Sequence, residues 1–499
     1  MNESEYRIGS IPVLYTDATP PSDAGARYKG LNPRTILLSV GYKKEPDCRT
    51  WEVETVFEQE IPIPLDDGVI IRADIFRPAD TPMVPAVVHC SHYGKSGTGS
   101  QGNSRLLGTA EGQDGHEAIE HIAQLPWCTG KVALAENEQL EDDIAMLQKY
   151  PVMNDYWLDK RADISLIQCP AYVLASMSTG LHTVGSLRYD CILHRGGMIF
   201  IRNAVADFKK SLDHYLKWED NEWQLTPRAR ISIISYSNES TSMKSCIERR
   251  SNIVQETIEN LPFAEWPIPE VNDITLRLSK DGTLQSSSNL VENGQCSYIS
   301  DAKAENYDAD PEELSFAHTF TNQTGLIGSS NAVLFLSCPD HDDLDIFVIL
   351  RKIDKNGRVL HHINIPFAEL KATGDDGING IEDPIDLPRL NALQYVGPSG
   401  ILRASHRQIE AGISKHNFPH HKYTSEGKIQ PARLVKLEIG IWAAKLQFEA
   451  GEKLMLRIGG HDMRLPEFEP LRGKFTTGNK GTHIVHISDE YQSHLVSPF

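Results

Sequence analysis

Apolar and polar residues alternate from Val53 to Ile63 and again from Val69 to Phe76, with Asp66, Asp67 and Gly68 between the two runs. Period-two alternation on both sides of an Asp-Gly turn predicts a β-hairpin. Pro85 to Cys90 is a short apolar run that reads as a buried strand leading into the loop Ser91 to Gly97. From Gln113 to Ala123 the period changes, since Ile119, Ile122 and Ala123 recur at helical spacing and Pro126 stops the helix. A strand over Val132 to Ala135 follows, then a charged amphipathic helix over Leu140 to Tyr150 and a further buried strand over Pro170 to Ala175. Helix and strand alternate here, the pattern of an α/β fold.

Beyond Pro227 the pattern becomes all-β. Short alternating segments separated by turn residues cover Ala229 to Ser235, Ile274 to Leu278, Ala332 to Ser337, Asp345 to Lys352, Leu434 to Ile441 and Lys453 to Ile458. Their spacing predicts an antiparallel sandwich or jelly roll. Residues 1–50 are rich in Pro, Gly and Asp around one apolar run, Thr35 to Val40, and read as an N-terminal arm. The expected organisation is therefore an arm over 1–50, an α/β domain over 51–217, a linker near 215–228, and a β-sandwich over 228–499.

Composition narrows the function more than the fold. A chain of 499 residues exceeds what one core usually organises, so two or more domains are expected. The net charge of −19, with no basic stretch, argues against nucleic-acid and anionic-membrane partners. The N-terminus lacks an apolar signal region, and no run approaches the ~20 apolar residues that span a bilayer. Eight cysteines, scattered singly, fit reduced thiols in the cytoplasm better than zinc sites or a disulfide scaffold. The triplets starting at Asn238 and Asn322 match the glycosylation pattern, which carries no weight without a secretory signal.

The run from Leu125 to Glu138 has the form of a strand delivering a nucleophile elbow, Gly-x-Ser-x-Gly, but Glu138 stands where the serine belongs, and the motif occurs nowhere else. Asp66 to Pro78, His92 to Lys95, Asp114 to Cys128, Leu344 to Leu350, Gly400 to Arg407 and Phe448 to Leu454 resemble the CocE/NonD serine hydrolases, related to X-Pro dipeptidyl-peptidases, with the fungal branch the nearest. The resemblance implies an α/β-hydrolase domain followed by a C-terminal jelly roll. It also implies ester or amide hydrolysis of acyl or X-Pro type, in a fungal biosynthetic setting, with no cofactor and no metal. A small-molecule ester or amide would be the substrate, and self-association into a homo-oligomer is left open.

The same resemblance gives roles to single residues. Tyr93 matches a tyrosine whose hydroxyl serves the oxyanion hole, Glu138 occupies the nucleophile position, and His194 is the best match to the catalytic base, with a structural role as its alternative. The acid position carries Ser178 and Thr179 instead of a carboxylate. Two blocks of the family pattern are missing: a strand with Asp-x-Arg-Gly between Tyr93 and Pro126, and the elbow with its helical cap after Ala135. Acyl transfer needs an activated nucleophile, a base within reach and oxyanion donors, so loss of nucleophile and acid removes most of the rate. The hydrolase domain is thus expected to be incomplete, its site degenerate. The chain would then be an enzyme of this class, a silent binding protein, or a product from which coding blocks have been lost.

Three lesser features have plain readings. Ser178, in Ser176 to Gly180, imitates an elbow after a strand but reads as a loop. Asp340 to Asp345 has calcium-type oxygen ligands without EF-hand spacing and reads as a solvated turn. His416, His420 and His421 lie in a Pro-containing loop without metal-ligand spacing and read as surface residues.

Overall fold

The Asp-Gly turn does what its sequence dictates: Gly68 takes a positive φ of 84°, and strands β4 (Thr55–Pro64) and β5 (Ile70–Pro78) pair antiparallel across it. The computed structural model describes residues 3–15, 30–46, 48, 50–89, 108–135, 143–161, 163–173, 175, 178, 202–234, 253–254, 257–269, 271–286, 293–304, 308–364, 394–464 and 477–499. The chain divides into two compact units, one of Met1–Pro170 with Lys209–Trp223, the other of Ala171–Phe208 with Gln224–Phe499.

In the first unit, β3 (Arg34–Leu38) pairs antiparallel with β4, so the Thr35 to Val40 run of the expected arm is an edge strand. Further upstream, β1 (Glu3–Ile8) and β2 (Ile11–Leu14) form a hairpin. Its Val13 and Leu14 pack on α2 (Asp143–Lys149) and α3 (Asp155–Asp159) through Ala145, Met146 and Tyr156. A βαβ unit completes the described part: β6 (Val84–His89), α1 (Thr109–Ala123) and β7 (Cys128–Ala135), with β6 and β7 parallel. Parallel neighbours need a crossover, and α1 supplies it, turning Ala118 and Ile122, four residues apart, onto Ile63, Ala86 and Cys128. The first turn of α1 is capped from outside: the Asp159 carboxylate accepts from the Thr109 amide and hydroxyl at 3.2 and 2.5 Å. That places a negative charge where a helix leaves N–H groups unsatisfied.

The second unit is built on two antiparallel sheets sharing one core. The larger runs β10 (Thr257–Phe263), β8 (Ala229–Ile234), β20 (Val435–Phe448), β15 (Thr324–Ser337), β23 (His494–Pro498), β11 (Asp273–Leu278) and β12 (Leu284–Gln285). To it also belong β22 (Thr482–Ile487), paired to β15, and β13 (Gly294–Ile299), paired to β22. Among the described strands of this sheet, only the single β8–β20 bridge is parallel. The smaller sheet runs β14 (Leu314–Thr319), β21 (Lys453–Gly459), β16 (Asp345–Ile353) and β19 (Ser399–Arg403). A minor sheet joins β18 (Gln394–Tyr395), β17 (His361–Ile363) and β9 (Ile253–Val254). Alternate residues of both main sheets, among them Leu334, Val348, Leu437 and Leu456, meet in the core.

β20 is longer than its alternation predicts, for a physical reason. Gly328 pairs with Ala444 but Ser330 pairs with Ile441, so Trp442 and Ala443 together face one residue of β15. This β-bulge switches the inward set from Val435, Leu437, Ile439 and Ile441 to Ala444, Leu446 and Phe448, keeping both halves on the core.

The expected buried strand over Pro170 to Ala175 is not seen: its described residues, 170–173 and 175, adopt no strand. An apolar run this short fits several environments, and here Tyr172 is tied down by a side chain rather than by a ladder. Among the described residues no helix is long and apolar enough to cross a membrane, and cysteines 48, 128, 169, 296 and 338 are free thiols.

Candidate active site

β6 and β7 run in register from Ala86↔Val132 to His89↔Ala135, so their carboxyl ends lie side by side. In open α/β sheets ligands gather beyond those ends. Tyr93 follows the end of β6 in the chain and Glu138 follows the end of β7. Tyr93, Glu138 and His194 themselves lie outside the described residues, as does the Ser91 to Gly97 loop. Beside the strands, the Lys131 ammonium donates to the Leu216 carbonyl at 3.0 Å and lies 4.2 Å from the Trp218 ring centre. Val87 and Leu134, both within what reads as a buried parallel pair, are 50% and 58% exposed.

Of the two residues at the expected acid position, Ser178 is described and Thr179 lies outside the described residues. Ser178 is only 3% exposed, and its carbonyl accepts from the Asn364 amide at 3.2 Å. An elbow nucleophile must present its hydroxyl at the surface of the sheet, which Ser178 does not. A carboxylate that the sequence reading missed is Asp207 in α4 (Arg202–Lys217). Arg230 of β8 holds both its oxygens at 2.7 Å, and the Tyr172 hydroxyl donates to one at 2.6 Å. Burial and the neighbouring carboxylate push the Tyr172 phenol far above its ordinary range. Through these bonds Asp207 clamps α4 to β8. The signal in the sequence was Arg230, a charge inside an apolar strand that calls for a buried partner.

The acidic turn differs from its reading as a solvated one. Asp343 and Asp345 are buried. Asp343 accepts from the amides of Leu344 and Ser405 and from the Lys428 ammonium at 2.8 Å, while Asp345 takes the Arg403 guanidinium at 2.7 and 3.0 Å. These donors do the work a cation would do, and the turn fastens three loops. The three histidines serve separate partners: His416 lies 2.8 Å from Asp273, His421 meets the Glu438 carbonyl at 3.1 Å, and His420 sits edge-on to Tyr423. His421 is buried, which corrects its surface assignment and lowers its pKa. Asp310, Glu313 and His461 do bring ligand atoms within 4.8 Å of one another. Glu313 there already holds the Arg457 guanidinium and the His461 ring, so the positive charge comes from the protein.

The sandwich and its loops identify the lineage. Residues 221–496 match the X-Pro dipeptidyl-peptidase C-terminal non-catalytic domain. The chain belongs to this X-Pro dipeptidyl-peptidase-like family. A solved CocE/NonD family hydrolase from Staphylococcus aureus has the same fold, with a TM-score of 0.74 at 20% identity over 94% of this chain and 97% of its own. An aminopeptidase from a marine-sediment Thaumarchaeota archaeon gives 0.57 at 14% identity, covering 92% of this chain and 99% of its own. An α-amino acid ester hydrolase gives 0.54 at 11%, over 88% of this chain and 96% of its own. Among curated proteins, an L-tyrosine:2-oxoglutarate aminotransferase from Aspergillus ustus is 35% identical over 72 residues, and the match spans 14% of either chain. The resemblance to CocE/NonD hydrolases drawn from the sequence therefore holds for family and fold.

Proposed function

We propose that this X-Pro dipeptidyl-peptidase-like protein is a cytoplasmic member of the CocE/NonD type whose site receives ester or amide compounds of acyl or X-Pro type, and in which the covalent serine step is lost. The observation that carries the reading is the pairing of the β6 and β7 carboxyl ends at His89↔Ala135, with Tyr93 and Glu138 next along the chain. Tyr93 would offer a hydroxyl to a polarised carbonyl, and His194 would serve as a proton carrier. Glu138 cannot replace the serine, because a carboxylate attacking an ester gives an anhydride with no elbow amides to stabilise the oxyanion. The fold comparisons support the compound class, and the short match to an Aspergillus ustus protein supports a fungal source; the biosynthetic setting rests on the resemblance of the sequence alone.

A specific observation favours a second reading, a complete hydrolase of which this sequence lacks two internal blocks. Parallel strands are normally covered on both faces, yet Val87 and Leu134, which point to opposite faces of the pair, are exposed, as they would be if elements packing on these strands were missing. Intact-mass measurement of the native protein, with and without a fluorophosphonate, separates the two. The first reading expects the mass of the 499-residue chain and no adduct. A heavier protein gaining one phosphonyl group establishes the second, and an adduct at the 499-residue mass overturns both by revealing another nucleophile.

A further inference from the structure

The β-bulge of β20 does more than rephase the strand. Trp442 and Ala443, the two residues of the bulge, line a cleft of about 320 Å³ in the second unit, opposite Ser329 of β15. Bulges re-aim side chains, and here the indole of Trp442 walls a cleft. Trp266 and Phe418 supply two more aromatic walls.

These walls are shaped by the fold itself. Lys415 and Phe418 bond to each other through both backbone groups, at 3.1 and 3.0 Å, closing a turn in which Asn417 has a φ of 55°. Asp273, the first residue of β11, fastens that turn, lying 2.8 Å from His416 and accepting from the Asn417 amide at 2.6 Å. Phe418 sits directly on β20, since a Cβ placed on Gly440 would come within 2.9 Å of its ring. A site already in shape has less ordering to do when a ligand enters.

The charges at the cleft are already matched. The His416 ring is paired with the Asp273 carboxylate, and Lys415 is likewise engaged. Among the remaining described lining residues, the polar side-chain groups are the Ser329 hydroxyl and the indole N–H of the two tryptophans. An ion entering there would shed water without meeting a free counter-charge. Three aromatic walls at the lower end of the volume range for small-molecule pockets suit a flat ring system. We propose that this cleft binds a flat, uncharged aromatic compound, its ring between Trp266, Trp442 and Phe418 and a polar substituent toward Ser329.

Calorimetric titration of the full chain with four probes tests this: naphthalene-2-carboxamide, naphthalene-2-carboxylate, 2-naphthylmethylammonium and the saturated decahydronaphthalene-2-carboxamide. The aromatic amide should bind at one saturable site. Both ions should bind about tenfold more weakly, because neither finds a free counter-charge. The saturated amide should bind about fivefold more weakly for want of ring stacking. Ser329→Trp should fill the cleft and abolish binding, and Trp442→Ala should weaken it, each with a cooperative melting transition retained. Absence of saturable binding overturns the proposal, as does an ion or the saturated amide matching the aromatic amide, or unchanged affinity in both variants. Affinity that falls as the protein is concentrated would show the cleft closed by a second copy, and overturns it too.

Discussion

Val87 in β6 and Leu134 near the end of β7 are half exposed or more, whereas Leu326, Leu334, Leu437 and Leu446 along β15 and β20 are sealed completely. Both pairs of strands are rich in apolar residues, so composition does not separate them. What separates them is cover. The sandwich supplies its own, since each main sheet is the lid of the other, while a parallel pair depends on elements added to both faces. Among the described residues, apolar burial, the main source of folding free energy, is therefore concentrated in the second unit.

The largest effect that would break this contrast lies inside the sandwich. Lys352 is fully buried, its ammonium 2.7 Å from Glu452 and 2.7 Å from the Gln447 carbonyl. Glu452→Ala strands that charge and should cost about 3–5 kcal/mol in urea unfolding. A loss of less than about 1 kcal/mol would mean that the sandwich is looser than its burial implies.

Acidification sharpens the contrast through His483, which accepts or donates at 3.1 Å with Tyr298 and whose pKa burial pushes down to about 4. With the folded value depressed below the unfolded ~6.5, the unfolded state binds the extra proton first. Stability contributed by the neutral ring is complete above about pH 6.5 and is lost as pH falls toward 4, a change on the order of 3 kcal/mol. Melting curves across that window should show the slope, and His483→Gln should flatten it. An unchanged slope in the variant would assign the acid sensitivity elsewhere.

The smallest expected effect is the most discriminating for the first unit. Val87→Thr with Leu134→Gln should change stability by no more than about 0.5 kcal/mol if these side chains face water. A loss above about 2 kcal/mol in the native protein would show that something covers them, as the reading with missing internal blocks requires.

The hairpin of β4 and β5 was legible because its turn and its alternation agree. β20 was read short because the bulge at Trp442 and Ala443 breaks period two midway, and the Pro170 to Ala175 run was misread because an apolar stretch without a pairing partner is not a strand. In β16 the strand was evident but the burial of Arg351 and Lys352 was not, since their carboxylates, Asp308 and Glu452, come from distant parts of the chain. At the candidate site the sequence was informative about residue types through Tyr93, Glu138 and His194. The structure contributes the paired strand ends, a relation between residues 89 and 135 that no local pattern encodes.

The extra residue in β20 makes this strand behave like a text read in two frames. An insertion in a surface loop is absorbed where it falls, but one extra residue after Ala444 would shift the frame by one, turning Leu446 and Phe448 to the wrong side and Lys445 and Gln447 toward the core, whereas losing Trp442 or Ala443 would only close the bulge. Tolerance to length change in this protein should accordingly be uneven, with one of its least forgiving positions inside one of the two longest described strands.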